Sequence, residues 1–314
     1  EVVAGTYAKG THNIIPISAC MIEDVQASAI IKTVTELIKS FKLWVYNEDT
    51  QRGLMRHILI RKGMSTKQIM VVLVTASPEF PHKNNFVEKL LEIHPEITTI
   101  VQNVNMKQTT MVLGERNRPL YGPGYIEDVL CGLRFRISPG SFYQVNSEQT
   151  QVLYKKVIEA AGLTGKETII DAYCGIGTIG MCMSQKSGRV IGIELNPKAV
   201  KDAKANARRN GICDIHFIAA DAAAYMSLMA ESGQKVDIIV LDPPRSGCTK
   251  EFMEAAVAMA PKKIIYVSCN PETLGRDLAW FSKAGYIAQE AWPIDMFSFT
   301  EHVETVVLIQ RKDT

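Results

Sequence analysis

The fold is decided by Thr168-Ile-Ile-Asp-Ala-Tyr-Cys-Gly-Ile-Gly-Thr-Ile-Gly180. A short apolar run ends in an acid, and a glycine-rich turn then leads into residues able to start a helix. Gly175, Gly177 and Gly180 satisfy G-x-G-x-x-G behind a strand, a spacing that lets backbone approach a ligand and a helix pack closely on a sheet. Outward from this point, strand and helix signals alternate. Arg189–Ile193, Asp214–Ile218, Val236–Leu241 and Lys263–Val267 read as strands, and Pro197–Asn210 reads as a helix with Asn196 as N-cap and Gly211 at its end. Glu148–Ala161 predicts a further helix ahead of the first strand. Such alternation predicts an α/β fold with a doubly wound, mostly parallel sheet. Val303–Gln310 follows no helix long enough for a crossover, so it is expected to run antiparallel, at or near the edge.

The first part of the chain reads differently. Apolar residues at helical spacing mark Ile22–Phe41, strand-like runs occupy Met55–Arg61, Gln68–Thr75 and Ile97–Val104, and Phe86–Ile93 reads as a short helix. A stretch with Gly114, Pro119, Gly122, Pro123 and Gly124 has the composition of a hinge. We therefore expect an α+β domain over 1–125 and a doubly wound domain over 126–314. Position 1 is Glu instead of Met, which suggests a region ahead of the chain.

Composition excludes several classes. No apolar run reaches membrane-spanning length, and the N-terminus has no secretory pattern. Seven cysteines, an odd number without C-x-x-C spacing, argue for a reducing compartment, here the cytoplasm, and against a disulfide framework or a zinc site. A net charge of +2 does not by itself identify a polyanionic partner. No obligate protein partner is implied.

The chemistry lies beyond the glycine turn. Glu194 closes the next strand, where a carboxylate can accept both ribose hydroxyls of a nucleoside cofactor. NAD and S-adenosylmethionine sites share this layout. Asp171 and Tyr173 ahead of the glycines, and Asp242-Pro-Pro244 after the fourth strand, favour S-adenosylmethionine. Ser268-Cys-Asn-Pro271 follows the buried run Ile264–Val267 and places Cys269 just past a strand end, where open α/β sheets keep their chemistry. A helix beginning near Glu272 would favour its thiolate. His302-Val-Glu304 offers a carboxylate downstream. A thiolate can add to pyrimidine C6, activate C5 toward a methyl donor, and leave once a base removes the C5 proton. Cys269 fits the first role and Glu304 the second. In Ser138-Pro-Gly-Ser-Phe-Tyr-Gln-Val-Asn146, Phe142 offers a surface for an extruded base and Gln144 a hydrogen bond to the cofactor; the plainer reading is a staple before a helix capped by Asn146. Arg116, Arg118, Arg134, Arg136, Arg208 and Arg209 are candidate phosphate contacts, each more simply a solvated charge. Cys174, Cys182 and Cys213 read as packing residues, and Cys248 has no assigned task.

Taken in order, Ser138–Asn146, Asp171–Gly180, Gly192–Pro197, Leu241–Gly247, Val267–Pro271 and Asp295–Val306 closely resemble the RNA 5-methyluridine methyltransferase family, with the 23S ribosomal RNA uracil-5 enzymes as the nearest members. The resemblance implies a class I methyltransferase with a seven-stranded sheet. It implies cofactor contacts from Gln144, Tyr173, Glu194 and Asp242, with Gly175, Gly177 and Asp221 as further cofactor candidates. It also implies Cys269 as nucleophile, Glu304 as base, Phe142 near the target uracil, and RNA as partner, ribosomal before transfer RNA. Members often carry an RNA-binding β-barrel, absent from this sequence. Some hold an iron–sulfur cluster, for which only Cys20 resembles a ligand; a [4Fe-4S] site is expected only in a longer form. The alternatives are a methyltransferase without covalent catalysis, a noncatalytic RNA-binding module and an NAD-dependent oxidoreductase.

Overall fold

The computed structural model describes residues 2–17 and 20–313. It divides into two compact units: residues up to 129 with 136–140, and 130–135 with 141 onward. In the first unit, a short hairpin pairs β1 (Gly5–Tyr7) with β2 (Ile14–Pro16), and α1 (Val25–Ser40) follows. Asp24 caps α1 by accepting from Gln26 and Ala27 N–H, and Lys62 Nζ sits 2.6 Å from the same carboxylate. The main sheet holds β3 (Met55–Lys62) and β4 (Ile69–Thr75), then, after α2 (Lys83–Ile93), β5 (Ile97–Val104) and β6 (Arg116–Tyr121), in the order β3-β4-β5-β6. The fully buried strand β4 packs with Ile30, Val34 and Phe86 in the core of this unit.

The glycine- and proline-rich stretch expected to be a hinge contains β6. Its residues are mostly exposed, with Leu120 half-buried against the core, and it carries Pro119, which an edge strand tolerates because one side of its backbone lies outside the ladder. A two-stranded pair, β7 (Ile126–Leu130) and β8 (Leu133–Ile137), follows and takes the chain from one unit into the other.

The second unit opens with α3 (Ser147–Ala161), capped by Asn146 and ended by Gly162 in the left-handed region. Then come β9 (Thr168–Ala172), α4 (Thr178–Ser184), β10 (Arg189–Glu194), α5 (Pro197–Arg209), β11 (Ile215–Ala219), α6 (Ala222–Glu231), β12 (Ile238–Leu241), α7 (Lys250–Ala258), β13 (Lys263–Ser268), α8 (Pro271–Lys283), β14 (Tyr286–Ile294) and β15 (Glu304–Arg311). The seven strands lie in the order β11-β10-β9-β12-β13-β15-β14. The five from β11 to β13 are parallel, and β15 runs antiparallel to both neighbours. Strand order reverses between β9 and β12, with β10 on one side and β13 on the other, and ligands of open α/β sheets bind at the carboxyl ends beside such a switch. The interior strands are almost wholly apolar, as burial on both faces requires. Ile170, Ile239, Ile264, Tyr266, Phe252 and Phe281 share one core. Among the described residues, no helix is long and apolar enough to cross a membrane.

Candidate active site

The glycine turn is built by close approaches. A Cβ on Gly180 would lie 2.7 Å from the Asp171 carboxylate; without one, Gly180 N–H donates to Asp171 Oδ2 at 2.8 Å and draws α4 onto β9. A Cβ on Gly177 would lie 2.4 Å from the Phe217 ring. Gly175 N–H donates to Glu194 Oε2 at 3.1 Å, and Asn196 N–H donates to Oε1 at 2.8 Å. The Glu194 side chain is thereby fixed at the carboxyl end of β10, beside the turn. Tyr173 adopts φ 61° and sets its ring 5.1 Å from that of Phe252. Its hydroxyl is pushed well above the ordinary tyrosine range by burial, with Cys248, Asp221 and Asp277 adding to the effect.

Asp221 also works as the N-cap of α6, accepting Ala224 N–H at 2.9 Å, and is exposed. The structure thus gives it a helix-capping task that the sequence expectation did not include. Gln144 is half-buried and Phe142 is 70% exposed, on the segment just before Asn146. Asn146 accepts Gln149 N–H with its side-chain oxygen, while its Nδ2 donates to Met296 O at 3.1 Å. One residue therefore joins this segment to the one that leads into β15.

The Ser-Cys-Asn-Pro turn has a local explanation. Ser268 Oγ accepts from Asn270 N–H at 3.1 Å and donates to Asn270 O at 3.0 Å, which holds Cys269 in a tight corner past the end of β13. Asn270 caps α8 by accepting Glu272 N–H, and Pro271 starts the helix. The Asn270 amide also donates to Arg245 O at 3.1 Å, as does Thr273 Oγ1 at 3.2 Å. In the β13–β15 register, Ser268 pairs with Thr305. The next step of that antiparallel register sets Cys269 against Glu304.

The electrostatics link Cys269, Glu304, Asp242 and Arg245, with Asp171 behind Asp242. Burial holds the Cys269 thiol above its usual range, reinforced by Glu304 and Asp242 and opposed by Arg245. Desolvation and two carboxylates thus work against the thiolate expected at a helix start. Glu304 is buried and its acid is likewise held up by burial, with Arg245 pulling it down. Half-buried Asp242 is raised to about 8 by burial, then by Glu304 and Asp171. Fully buried Asp171 rises to about 7 by burial, against the Gly180 hydrogen bond and helped by Glu194. Asp242 thus feels both Glu304 and Asp171, while Glu304 and Asp242 act on the thiol with Arg245 as the opposing cation, an arrangement typical of functional sites. The sequence assigns Arg245 no role here; its only signal is a place inside Leu241–Gly247.

A second group missed in the sequence anchors that loop. The side chain of Asp277, fully buried on α8, accepts from Cys248 N–H and from Tyr266 Oη, both at 2.8 Å, and pairs with Arg276 at 2.7 Å. Arg276 also donates to the carbonyls of Ser246 and Cys248. A Cβ on Gly247 would strike this pair at 2.6 and 2.7 Å. Tyr266 was hidden from sequence reasoning by its apolar neighbours. Cys174 and Cys182 are buried as expected of packing residues, whereas Cys213 is exposed. Cys20 is half-buried, and among the described residues no group of three or more His, Cys, Asp or Glu side chains could hold a metal ion.

A switch-point sheet in this strand order, with a glycine turn, a ribose-type acid and an acid-Pro-Pro loop at its carboxyl edge, defines a class I methyltransferase. Residues 125–312 match the tRNA (Uracil-5-)-methyltransferase family, and the chain belongs to it. An RNA methyltransferase of Halalkalibacterium halodurans is 42% identical over 99% of this chain and 68% of its own. One from Clostridium tetani is 44% identical over 98% and 67%. The solved tRNA (uracil-54, C5)-methyltransferase of Pyrococcus abyssi, in complex with S-adenosyl-L-homocysteine, is 30% identical with a TM-score of 0.79, covering 95% of this chain and 70% of that one. The tRNA m1G37 methyltransferase of M. jannaschii, at 12% identity and a TM-score of 0.53 over 89% of this chain and 78% of its own, shares the fold alone.

Proposed function

We propose that the chain methylates uridine at C5 in RNA, using S-adenosylmethionine and a transient bond between Cys269 and uracil C6. The observation that carries this reading is the end of the β13–β15 register at Ser268 and Thr305, the residues next to Cys269 and Glu304, together with the burial of Glu304 and its electrostatic effect on the thiol. The glycine turn, the doubly held Glu194 and the half-buried Asp242 fit a nucleoside-bearing methyl donor. Tyr173, Gln144 and Asp221 complete the proposed cofactor set, and Phe142 the uracil contact. When bound, S-adenosylmethionine supplies a methyl carbon made electrophilic by its sulfonium.

The protein's own groups do the rest. Arg245 favours the Cys269 thiolate, which adds to C6 and pushes the ring electrons to C5. C5 takes the methyl group. Glu304, a carboxylate of raised affinity for protons, removes the C5 proton; the C6–sulfur bond breaks and the thiolate returns. The products are 5-methyluridine, S-adenosylhomocysteine and one proton. The target base must leave its stack to reach this corner.

Ribosomal RNA is the first substrate we assign, from the sequence resemblance. Transfer RNA is the second, favoured by the P. abyssi neighbour. The need for a reduced thiol fits a cytoplasmic enzyme. The test incubates wild type and Cys269→Ala with S-adenosylmethionine and unmodified transcripts of both RNAs, then digests them to nucleosides. Wild type should yield 5-methyluridine and the variant none; full activity in the variant overturns the scheme.

A further inference from the structure

The loop from β14 to β15 carries an aromatic residue where a turn favours glycine. Thr300 N–H donates to Phe297 O at 3.1 Å and closes a four-residue turn. Its third residue, Phe299, has φ 66°, a left-handed state that glycine and asparagine enter readily and bulky side chains rarely. Neighbouring contacts fix the turn: Thr300 Oγ1 donates to Phe297 O, His302 N–H donates to Thr300 Oγ1, and Ser298 Oγ donates to Asp295 Oδ2. The Phe299 ring gives nothing back to the fold, being 92% exposed. A strained backbone with an unpacked ring points to a task outside the fold.

The position says which task. The loop ends at Glu304, the first residue of β15. Its other end is tied at Met296 O to Asn146 Nδ2, and Met296 Sδ receives the Thr150 hydroxyl at 3.8 Å. Just before Asn146 lie two more outward side chains, Phe142 at 70% and Val145 at 73% exposure. Exposed apolar groups thus stand on two segments that the Asn146 amide joins at the rim of the Cys269–Glu304 corner. RNA recognition by splayed bases uses such surfaces, since every nucleobase has a face that stacks on an aromatic ring.

We propose that Phe299 is an RNA-stacking residue, holding a base next to the target uridine once that uridine has left the stack. The inference rests on the uridine-methylation reading. It is separate from Phe142, which that reading places on the uracil itself.

The test uses the full chain, S-adenosylmethionine, and 5-fluorouridine-substituted transcripts of large-subunit ribosomal RNA and of tRNA. Fluorine at C5 cannot leave as a proton, so the enzyme is trapped on its RNA. Wild type should form the adduct; no adduct at all would sink the uridine reading and this inference with it. Phe299→Gly should melt no lower than wild type, because glycine relieves the turn, and should bind S-adenosylmethionine unchanged by calorimetry. It should need about tenfold more RNA for half-maximal trapping, the size of one lost aromatic–base stack. Phe299→Tyr should restore the wild-type requirement. An unchanged RNA requirement in Phe299→Gly, a failure of Phe299→Tyr to rescue, or a changed oligomeric state without an RNA effect would each overturn the proposal. A lower melting temperature in Phe299→Gly would overturn its premise.

Discussion

At the scale of single residues, the reaction corner is a contest over one thiol. Burial, Glu304 and Asp242 hold the Cys269 proton on, and Arg245 works against them. Turnover should therefore rise on the alkaline side as the thiolate forms. Arg245→Gln removes the cation that opposes protonation, so the ascending limb of kcat against pH should move to higher pH; a limb that stays put would remove Arg245 from the account. The sequence singles out Cys269 through Ser-Cys-Asn-Pro behind a buried run, whereas Glu304 by spacing alone reads as a solvated strand residue and stands out only through the family resemblance. The state of the thiol was not legible there. A helix start suggested a low pKa, and only the fold shows two carboxylates converging from β12 and β15. Arg245 was equally hidden, since its effect arises across three separate loops.

At the scale of elements, the catalytic loop after β12 is held on α8 by buried polar bonds. Asp277 satisfies Cys248 N–H, Tyr266 Oη and Arg276 together. Removing the acceptor strands buried donors, so Asp277→Ala should cost about 3 kcal/mol or more in denaturant unfolding. Tyr266→Phe removes the bond to Asp277 and the weak one from Cys248 Sγ and should cost less, about 1 kcal/mol. Equal, negligible costs would contradict the clamp. The interior strands of the second unit were legible because burial on both faces makes them continuous apolar runs. β6, β14 and the β7–β8 pair were not. β6 and β14 are exposed, contain Pro119 and Pro293, and lie at sheet edges, where no core-facing pattern is demanded. The β7–β8 turn uses Cys131 and Gly132, both at positive φ, and lacks the Asn-Gly or Asp-Gly signal of such hairpins.

At the scale of the whole molecule, the clustered carboxylates link stability to pH. Asp171 is raised to about 7 and Asp242 to about 8, so between about pH 4 and 8 the folded chain binds more protons than the unfolded one. Unfolding free energy should fall as pH rises through that window. Asp242→Asn should flatten the slope, measured by chemical denaturation at several pH values without cofactor; a slope of the opposite sign would contradict the burial of these groups. The proposed chemistry turns on one transient bond, and the most direct measurement looks for it. Glu304→Gln with natural RNA and S-adenosylmethionine lacks the proposed base, so peptide mass spectrometry should find a methylated uridine nucleotide on the peptide containing Cys269. A variant that turns over normally, or whose RNA is attached at another residue, would contradict the account.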